Sequence, residues 1–279
     1  MFSFAYDGSI NGDWVSHYAV QLASAHVTRR LNVLHVRSPQ TIDAELQEKL
    51  QRLQVECQRV GVELVSQILS PTGSVSNTLL SAVGRGPEQY LLCGIRVRPG
   101  SRGLLSGTIA EQVLRARHCN ALAIRVVQPG LLGQPRHFLL PVAGHHRNFG
   151  SGMLCLRLFA PQISRLHIMH VIRLRRWQLV GLSHETAERM RVSGYEFCKC
   201  IEKEISEHLG IGSRIVDTHV VVSDDIPREI MITANKTKSR LICMASTERT
   251  LPSQLFTGNV IEQVLRDTVC DVVIYRGME

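Results

Sequence analysis

A segment near the middle of the chain is repeated close to its end. Residues 107–126 align with residues 258–277 at a constant offset of 151 positions, and eight of the twenty pairs are identical, including the run Glu-Gln-Val-Leu-Arg. The same offset aligns residues 90–94 with residues 241–245. Self-similarity at a fixed offset is the sequence signature of a duplicated unit. The chain is therefore expected to contain two copies of one domain.

The boundary between the copies is predicted from local composition. Residues 30–36 match residues 165–171 at an offset of 135, so the loops of the two copies differ in length. Between them, residues 128–135 contain two prolines and two glycines, which interrupt any helix or strand. We expect a first domain at 1–130 and a second at 136–279.

Short apolar runs alternate with amphipathic segments in both copies. This order predicts an α/β fold, with two doubly wound, Rossmann-like parallel-sheet domains in tandem. The predicted strands are 2–6, 31–36, 62–69, 90–93 and 121–127, then 138–142, 165–171, 215–222, 241–244 and 272–275. Predicted helices of the first copy are 13–27, 42–60, 75–83 and 109–115. In the second copy, Phe197, Ile201, Ile205 and Leu209 mark a long helix that Gly210 ends.

Charge and hydropathy exclude some classes of protein. The net charge is +8, but residues 1–135 hold 13 Lys and Arg against 9 Asp and Glu and the rest hold 19 against 15, so each half carries +4. The densest basic group, Arg173, Arg175 and Arg176, is typical of a solvated loop, and no nucleic-acid partner is expected. No run of eighteen apolar residues occurs, so no membrane span is expected.

The cysteines and histidines do not follow a metal or disulfide pattern. Cys198 and Cys200 form C-x-C without a second pair at zinc-finger spacing, and the doublet His145-His146 is not expected to bind a metal. Six other cysteines are each surrounded by apolar residues, which indicates small buried side chains in a reducing, cytoplasmic compartment. These are Cys57, Cys93, Cys119, Cys155, Cys243 and Cys270.

Three features of the first copy are predicted to meet at one end of its sheet. Asp7 directly follows the first strand, Gly94 ends the fourth, and Gly107-Thr108 opens the next helix. Ligands of open parallel sheets bind beyond the carboxyl ends of the strands, and a helix N-terminus favours an anion. The loop between Gly94 and Gly107 adds three cations that could contact phosphate, Arg96, Arg98 and Arg102.

These residues resemble the universal stress proteins in their tandem, two-domain form. The family's strand followed by Asp-Gly-Ser matches residues 4–9, and its second strand ending in His-Val matches His35-Val36. Its nucleotide loop has glycines at fixed intervals before a Ser or Thr. Those positions here are Gly94, Val97, Gly107 and Thr108, so the middle glycine is replaced. The resemblance covers the whole chain, once in each copy.

The resemblance implies a regulatory stress-response protein that binds ATP or AMP, with Mg²⁺ as an accompanying ion. In such a site the backbone of Val36 would hold the adenine and Asp7 the ribose. The implied contact residues are Ala5, Asp7, Val36, Gly94, Arg96, Val97, Gly107, Thr108 and Ile109. In the family the last strands form dimers. Here 121–127 and 272–275 could pair within one chain as a pseudo-dimer, with a homodimer as the other arrangement.

The second copy departs further from the nucleotide-binding pattern. Ala143 stands where the first copy has Asp7, so the ribose-binding carboxylate is missing. The loop positions are Ala245, Glu248, Gly258 and Asn259, and Glu248 would repel an anionic ligand. We expect this copy to be degenerate.

Several interpretations stay open at this point. Asp7 and Gly107-Thr108 could serve only as helix caps, and Val97 would crowd a phosphate. The chain has no G-x-x-x-x-G-K-[ST], G-x-S-x-G or H-E-x-x-H motif, so a dedicated enzyme is not expected and ATP hydrolysis would at most be slow. The alternatives to a nucleotide sensor are a scaffold without nucleotide and a cytoplasmic regulatory domain of a transporter, suggested because the first strand starts at Phe2.

Overall fold

The computed structural model describes residues 1–39, 42–96, 104–105, 107–143, 149–246 and 260–278. We call residues 1–135 the first half and residues 136–279 the second half. The strands are β1 Phe2–Ala5, β2 Arg30–Val36, β3 Glu63–Leu69, β4 Tyr90–Gly94, β5 Asn120–Arg125, β6 His137–Val142, β7 Arg165–Arg173, β8 Val216–Ser223, β9 Leu241–Ala245 and β10 Asp271–Arg276. The helices are α1 Ile10–Ala25, α2 Asp43–Arg59, α3 Val75–Val83, α4 Ile109–Arg115, α5 Gly150–Phe159, α6 Arg176–Val180, α7 His184–Leu209, α8 Ile226–Lys236 and α9 Val260–Asp267.

All ten strands form one sheet, in the order β3-β2-β1-β4-β5-β10-β9-β6-β7-β8. Read inward from either edge, the two halves have the same strand order. Neighbouring strands are parallel within each half, as predicted. The halves meet where β5 and β10 pair antiparallel, with Val273 opposite Ile124. The two last strands therefore pair within the chain, as the sequence predicted for a pseudo-dimer.

Both ends of the β5–β10 pair are closed by equivalent side chains. Asp271, the first residue of β10, accepts hydrogen bonds from the backbone N–H groups of Val127 and Gln128, each at 2.7 Å. Asn120, the first residue of β5, accepts one from the N–H of Met278 at 3.0 Å. Because the N–H of Val127 bonds to the Asp271 side chain, β5 ends at Arg125. The prediction that this strand extends to residue 127 is therefore wrong.

The sheet is covered on both faces, which explains its apolar strands. One face packs against α1, α2, α5 and α7, whose buried residues include Tyr18, Leu50, Leu156 and Ile201. The other face packs against α3, α4, α8 and α9. The molecule is therefore a three-layer α/β/α structure, and the strand ends are left to form sites.

Most predicted elements are confirmed, with shifted bounds. The helix α1 begins at Ile10, three residues earlier than predicted, because the Ser9 side chain caps it by accepting from the N–H of Gly12. The long helix α7 ends at Gly210, which adopts the left-handed conformation (φ +65°). The helices α5, α6 and α8 were not among the elements that the periodicity identified.

The segment between the halves lies against α1. It begins with a short 3-10 turn, Pro129–Leu131, which confirms that no longer element passes through it. Gly133 has a positive φ of +71°, and a Cβ at this position would lie 2.7 Å from the backbone of His17 and of Tyr18. Only glycine allows this approach.

The arginine cluster and the cysteines behave largely as expected. Arg173, Arg175 and Arg176 are exposed, but they run from the end of β7 into α6 and so are not a simple loop. The six predicted cysteines are buried, Cys198 is buried as well, and Cys200 is exposed. None of the helices described combines the length and apolar character that crossing a membrane requires.

Candidate functional site

The predicted site lies where the strand order of the first half reverses. β1 pairs with β2 on one side and with β4 on the other. After β1 the chain continues into α1 on one face of the sheet, and after β4 it continues towards α4 on the other face. Phe4 lies beside Leu92, and continuing this register places the β1–α1 turn beside Gly94. Asp7 and Gly94 are therefore neighbours at the carboxyl end of the sheet, which is where doubly wound proteins bind ligands.

The Asp7 carboxylate is held by its own turn and keeps one oxygen open. Oδ1 accepts from the N–H of Ser9 at 3.0 Å and from its hydroxyl at 2.6 Å. Among the described residues, Oδ2 has no hydrogen-bond partner, and Asp7 is exposed. The helix cap is Ser9 and not Asp7, so the view of Asp7 as the cap of α1 is wrong. Asp7 retains acceptor capacity for a ligand hydroxyl.

Two residues that the sequence analysis did not single out shape this turn. A Cβ at Gly12 would lie 2.7 Å from Oδ1 of Asp7, so a side chain there would displace the carboxylate. Lys49 of α2 donates to the carbonyl oxygen of Gly8 at 2.6 Å and pairs with Asp13 at 3.1 Å. The available signal for Gly12 was a glycine directly before the predicted helix 13–27. Lys49 left no comparable signal, because it lies about forty positions away.

Gly94 lies in close contact with side chains of α1. A Cβ on Gly94 would lie 2.8 Å from the side-chain nitrogen of Asn11 and 3.3 Å from a methyl of Val15. The next residue, Ile95, continues the backbone by donating to the carbonyl of Ile124 at 2.8 Å. The glycine therefore has a packing role in addition to the one implied by the family resemblance.

The predicted nucleotide loop ends at Gly107 and Thr108, where α4 begins with a side-chain cap. Gly107 has a positive φ of +72°, and Thr108 caps α4 by accepting from the N–H of Glu111 at 3.1 Å. The N–H of Gly107 donates to the Glu111 carboxylate at 2.6 Å and is not open to an anion. Among the described residues, the N–H groups of Ile109 and Ala110 have no acceptor. Of the predicted contacts here, Ile109 is the one with a free donor.

A cavity of about 390 Å³ opens at the same end of the sheet. It lies between the first turn of α1 and the ends of β4 and β5. Arg96 is exposed on its wall and has no ion-pair partner among the described residues. Burial lowers the pKa of the second basic residue, Arg125, although Asp271 and Asp267 oppose this effect. The full lining is Ser9, Ile10, Asn11, Trp14, Ile95, Arg96, Arg125 and Val126.

The His-Val end of the second strand orders the same turn. His35 is buried, and its Nδ1 donates to the carbonyl of Tyr6, directly before Asp7, at 2.8 Å. The N–H of Tyr6 donates to the carbonyl of Leu34, so the backbone of Val36, two residues further on, faces the same turn. Val36 and Asp7 are thus brought together as the family resemblance requires. Ala5, the last residue of β1, lies behind them.

The second half repeats this framework without the carboxylate. His170 Nδ1 donates to the carbonyl of Val142 at 3.0 Å, in the same way that His35 contacts Tyr6. Ala143 follows Val142 and is exposed where the first half has Asp7. Ser246 donates to the carbonyl of Tyr275 at 2.8 Å, which places Ala245 at the position of Gly94. The structure therefore agrees with the alignment at Ala143 and Ala245.

Some predicted residues lie outside the described residues. These are Val97, Arg98 and Arg102 of the first loop, the doublet His145-His146, and Glu248, Gly258 and Asn259 of the second loop. Within the parts of the chain that are described, no three His, Cys, Asp or Glu side chains group closely enough to hold a metal ion.

A doubly wound sheet with a carboxylate, a glycine and a cavity at its switch point defines a class of α/β proteins with a crevice for a small molecule. Residues 154–276 match the model of the universal stress protein family. The second half of the chain is therefore similar to the universal stress protein family. That half is the one with the degenerate site, so the match carries no information about a ligand. No curated protein matches the sequence.

Solved structures extend the fold assignment to the whole chain. A putative universal stress protein from Pseudomonas aeruginosa UCBPP-PA14 is 15% identical, with a TM-score of 0.60 over 100% of this chain and 94% of that chain. A universal stress protein from Archaeoglobus fulgidus DSM 4304 is 17% identical, with a TM-score of 0.60 over 98% and 95%. The cytoplasmic domain of a prokaryotic cation chloride cotransporter is 11% identical, with a TM-score of 0.60 over 99% and 95%. At these identities the likeness concerns the fold alone.

Proposed function

We propose that the chain is a tandem universal stress protein whose first domain, residues 1–130, binds an adenine nucleotide, ATP or AMP. The observation that carries this proposal is the open Oδ2 of Asp7 beside Gly94 at the switch point. A carboxylate with free acceptor capacity at this place is suited to a ribose hydroxyl. In the second half, residues 136–279, Ala143 has no such group, so that half would be the structural or regulatory one.

The three parts of the ligand would have different contacts. The ribose would bond to Asp7, and the adenine would lie against the backbone of Val36 after β2. The phosphates would extend towards Arg96 and towards the N–H of Ile109, which has no acceptor among the described residues, since both groups favour negative charge. Mg²⁺ would accompany ATP as part of the ligand, bound by the phosphates.

The site is suited to binding more than to turnover. Asp7 is held by Ser9, and Glu111 is committed to Gly107 and Arg115. A phosphoryl-transfer site needs positioned cations and a residue that orients the nucleophile, and this sequence has no Walker lysine. We therefore propose a cytoplasmic regulatory protein, in which nucleotide occupancy changes how partners are recognised.

Asp7→Asn should abolish stabilisation by ATP. At a hundredfold excess of ATP over its Kd, linkage contributes about 2.7 kcal/mol, or about 5 °C in Tm for a chain of this size. The asparagine keeps the oxygen that accepts from Ser9 but loses the charge and half of the acceptor capacity of the carboxylate. The measurement is a thermal melt with ATP, ADP and AMP, and Asp43→Asn, an exposed carboxylate on α2, is the matched control.

Mass spectrometry of small molecules released from the purified, denatured protein gives a second test. A co-purifying adenine nucleotide would support the sensor. No thermal shift with any adenine nucleotide in the wild type would contradict it and leave the scaffold without nucleotide.

A second candidate function is favoured by one comparison. The cytoplasmic domain of a cation chloride cotransporter shares the fold over 99% of this chain. The chain would then act as a regulatory domain attached to a membrane transporter. Recovery of the native protein as one polypeptide with membrane-spanning segments would establish this role. Recovery as a free chain of this length would exclude it.

A further inference from the structure

A carboxylate of the second half holds the predicted nucleotide loop of the first half. Glu262, in the first turn of α9, is buried. Its Oε2 accepts from the backbone N–H of Leu104 at 2.7 Å, and its Oε1 accepts from the N–H of Leu105 at 2.9 Å. Both oxygens thus contact the loop that leads into Gly107.

The same loop is held from its own side by the equivalent residue. Glu111 occupies the position in the first copy of the Glu-Gln-Val-Leu-Arg run that Glu262 occupies in the second. It accepts from the N–H of Gly107 at 2.6 Å. The two glutamates therefore fix three backbone N–H groups within four residues, one glutamate from each half.

These bonds are of a strong kind. A buried carboxylate that accepts from backbone N–H groups forms charge-assisted hydrogen bonds, which are about twice as strong as neutral ones. The side chains of Leu104 and Leu105 are buried in the core beneath α4 and α9, so their backbone cannot turn to solvent for another partner. A glutamine at 262 has only one acceptor oxygen, and its NH₂ group would face a donor.

We propose that Glu262 is a positioning residue for the nucleotide site of the other half. This inference rests on the proposed function. The second half lacks the carboxylate at its own switch point, yet through Glu262 it fixes Leu104 and Leu105, which precede Gly107 and Thr108 of the predicted nucleotide loop. The ligand site of the first half is then incomplete without the second half, and α9 couples the two.

The test compares Glu262→Gln with the wild type in two measurements. Amide hydrogen exchange at Leu104 and Leu105 should accelerate about tenfold or more, because a hydrogen bond to a charged group restrains local opening. The affinity for ATP should fall about tenfold, on the same scale of interaction. The affinity for adenosine, which lacks phosphates, should stay within about twofold, since Asp7 and Val36 are untouched. Glu262→Asp keeps the charge and should retain part of the ATP affinity.

Asp267→Asn makes the same chemical change at an exposed position on α9 and should alter neither measurement. Unchanged exchange at Leu104 and Leu105 in Glu262→Gln would overturn the proposal. So would equal losses of affinity for ATP and adenosine, which indicate general destabilisation. If the wild type binds no adenine nucleotide, the proposed function fails, whereas the exchange measurement still decides whether Glu262 holds the loop.

Discussion

Asp271→Ala should destabilise the protein by about 3–5 kcal/mol, since it leaves one buried and two part-buried donors without an acceptor. The Asp271 side chain is fully buried and accepts from Val127, Gln128 and the hydroxyl of Tyr18, the last at 2.6 Å. These partners belong to the first half, whereas Asp271 belongs to the second. Urea unfolding measured by circular dichroism is the appropriate measurement.

Asp267→Ala is the control for this change, because it removes an exposed carboxylate four residues away. Its effect should remain within about 0.5 kcal/mol. An equally small effect of Asp271→Ala would show that the junction between the halves does not depend on this side chain.

The pH dependence of Asp271 has a defined sign. Burial raises the pKa of this carboxyl above 3.8, although the hydrogen bonds from Tyr18, Gln128 and Val127 oppose the shift. Asp271 holds its proton more tightly in the folded state, so this proton-linked part of the stability is complete below pH 3.8 and is lost as the pH rises through the raised pKa. The hydrogen bonds that the side chain accepts are a separate contribution. Acid unfolding of the protein has to come from other carboxylates.

Gly133→Ala should also be severe, at about 3 kcal/mol or more. The added methyl would meet the backbone of His17 and Tyr18 at 2.7 Å, and the positive φ of +71° disfavours any side chain. Neither contact can be relieved by rotating a side chain, so α1 or the connecting segment has to move. The measurement is the free energy of unfolding of the variant.

Gly130→Ala provides a matched comparison in the same segment. A Cβ at Gly130 meets nothing within 4 Å. Its expected effect is within about 0.5 kcal/mol. If both variants behaved alike, the segment between the halves would not be seated on α1.

Much of the fold could be predicted from the sequence because its signals are local or repeated. Burial is visible in the sequence as the apolar runs of β4 and β9. It is also visible in the spacing of Leu46, Leu50 and Leu53 on α2. The helices α5 and α8 were missed because the loops before them differ between the copies, so the repeat offered no alignment there. The end of β5 was misplaced because Val127 is apolar, while its N–H bonds to a residue 144 positions away.

The candidate site was predictable as a set of positions but not as a set of contacts. Asp7, Gly94 and Val36 are next to strand ends, and parallel strands bring their ends together. That Ser9 caps α1, that Glu111 takes up the N–H of Gly107, and that Glu262 reaches Leu104 depend on side-chain directions. Glu262 is part of the repeated run Glu-Gln-Val-Leu-Arg. This repeat indicated a duplication, but it did not indicate a contact between the copies.

The antiparallel pairing of β5 with β10 limits how further copies of the chain can assemble. Each of these strands has a neighbour on both sides, so the middle of the sheet has no unpaired backbone to offer. Among the described strands, β3 and β8 lie at the two edges of the sheet, and β3 exposes polar side chains there, Ser66 and Gln67. Strand addition at such an edge would bury those groups, which discourages polymerisation.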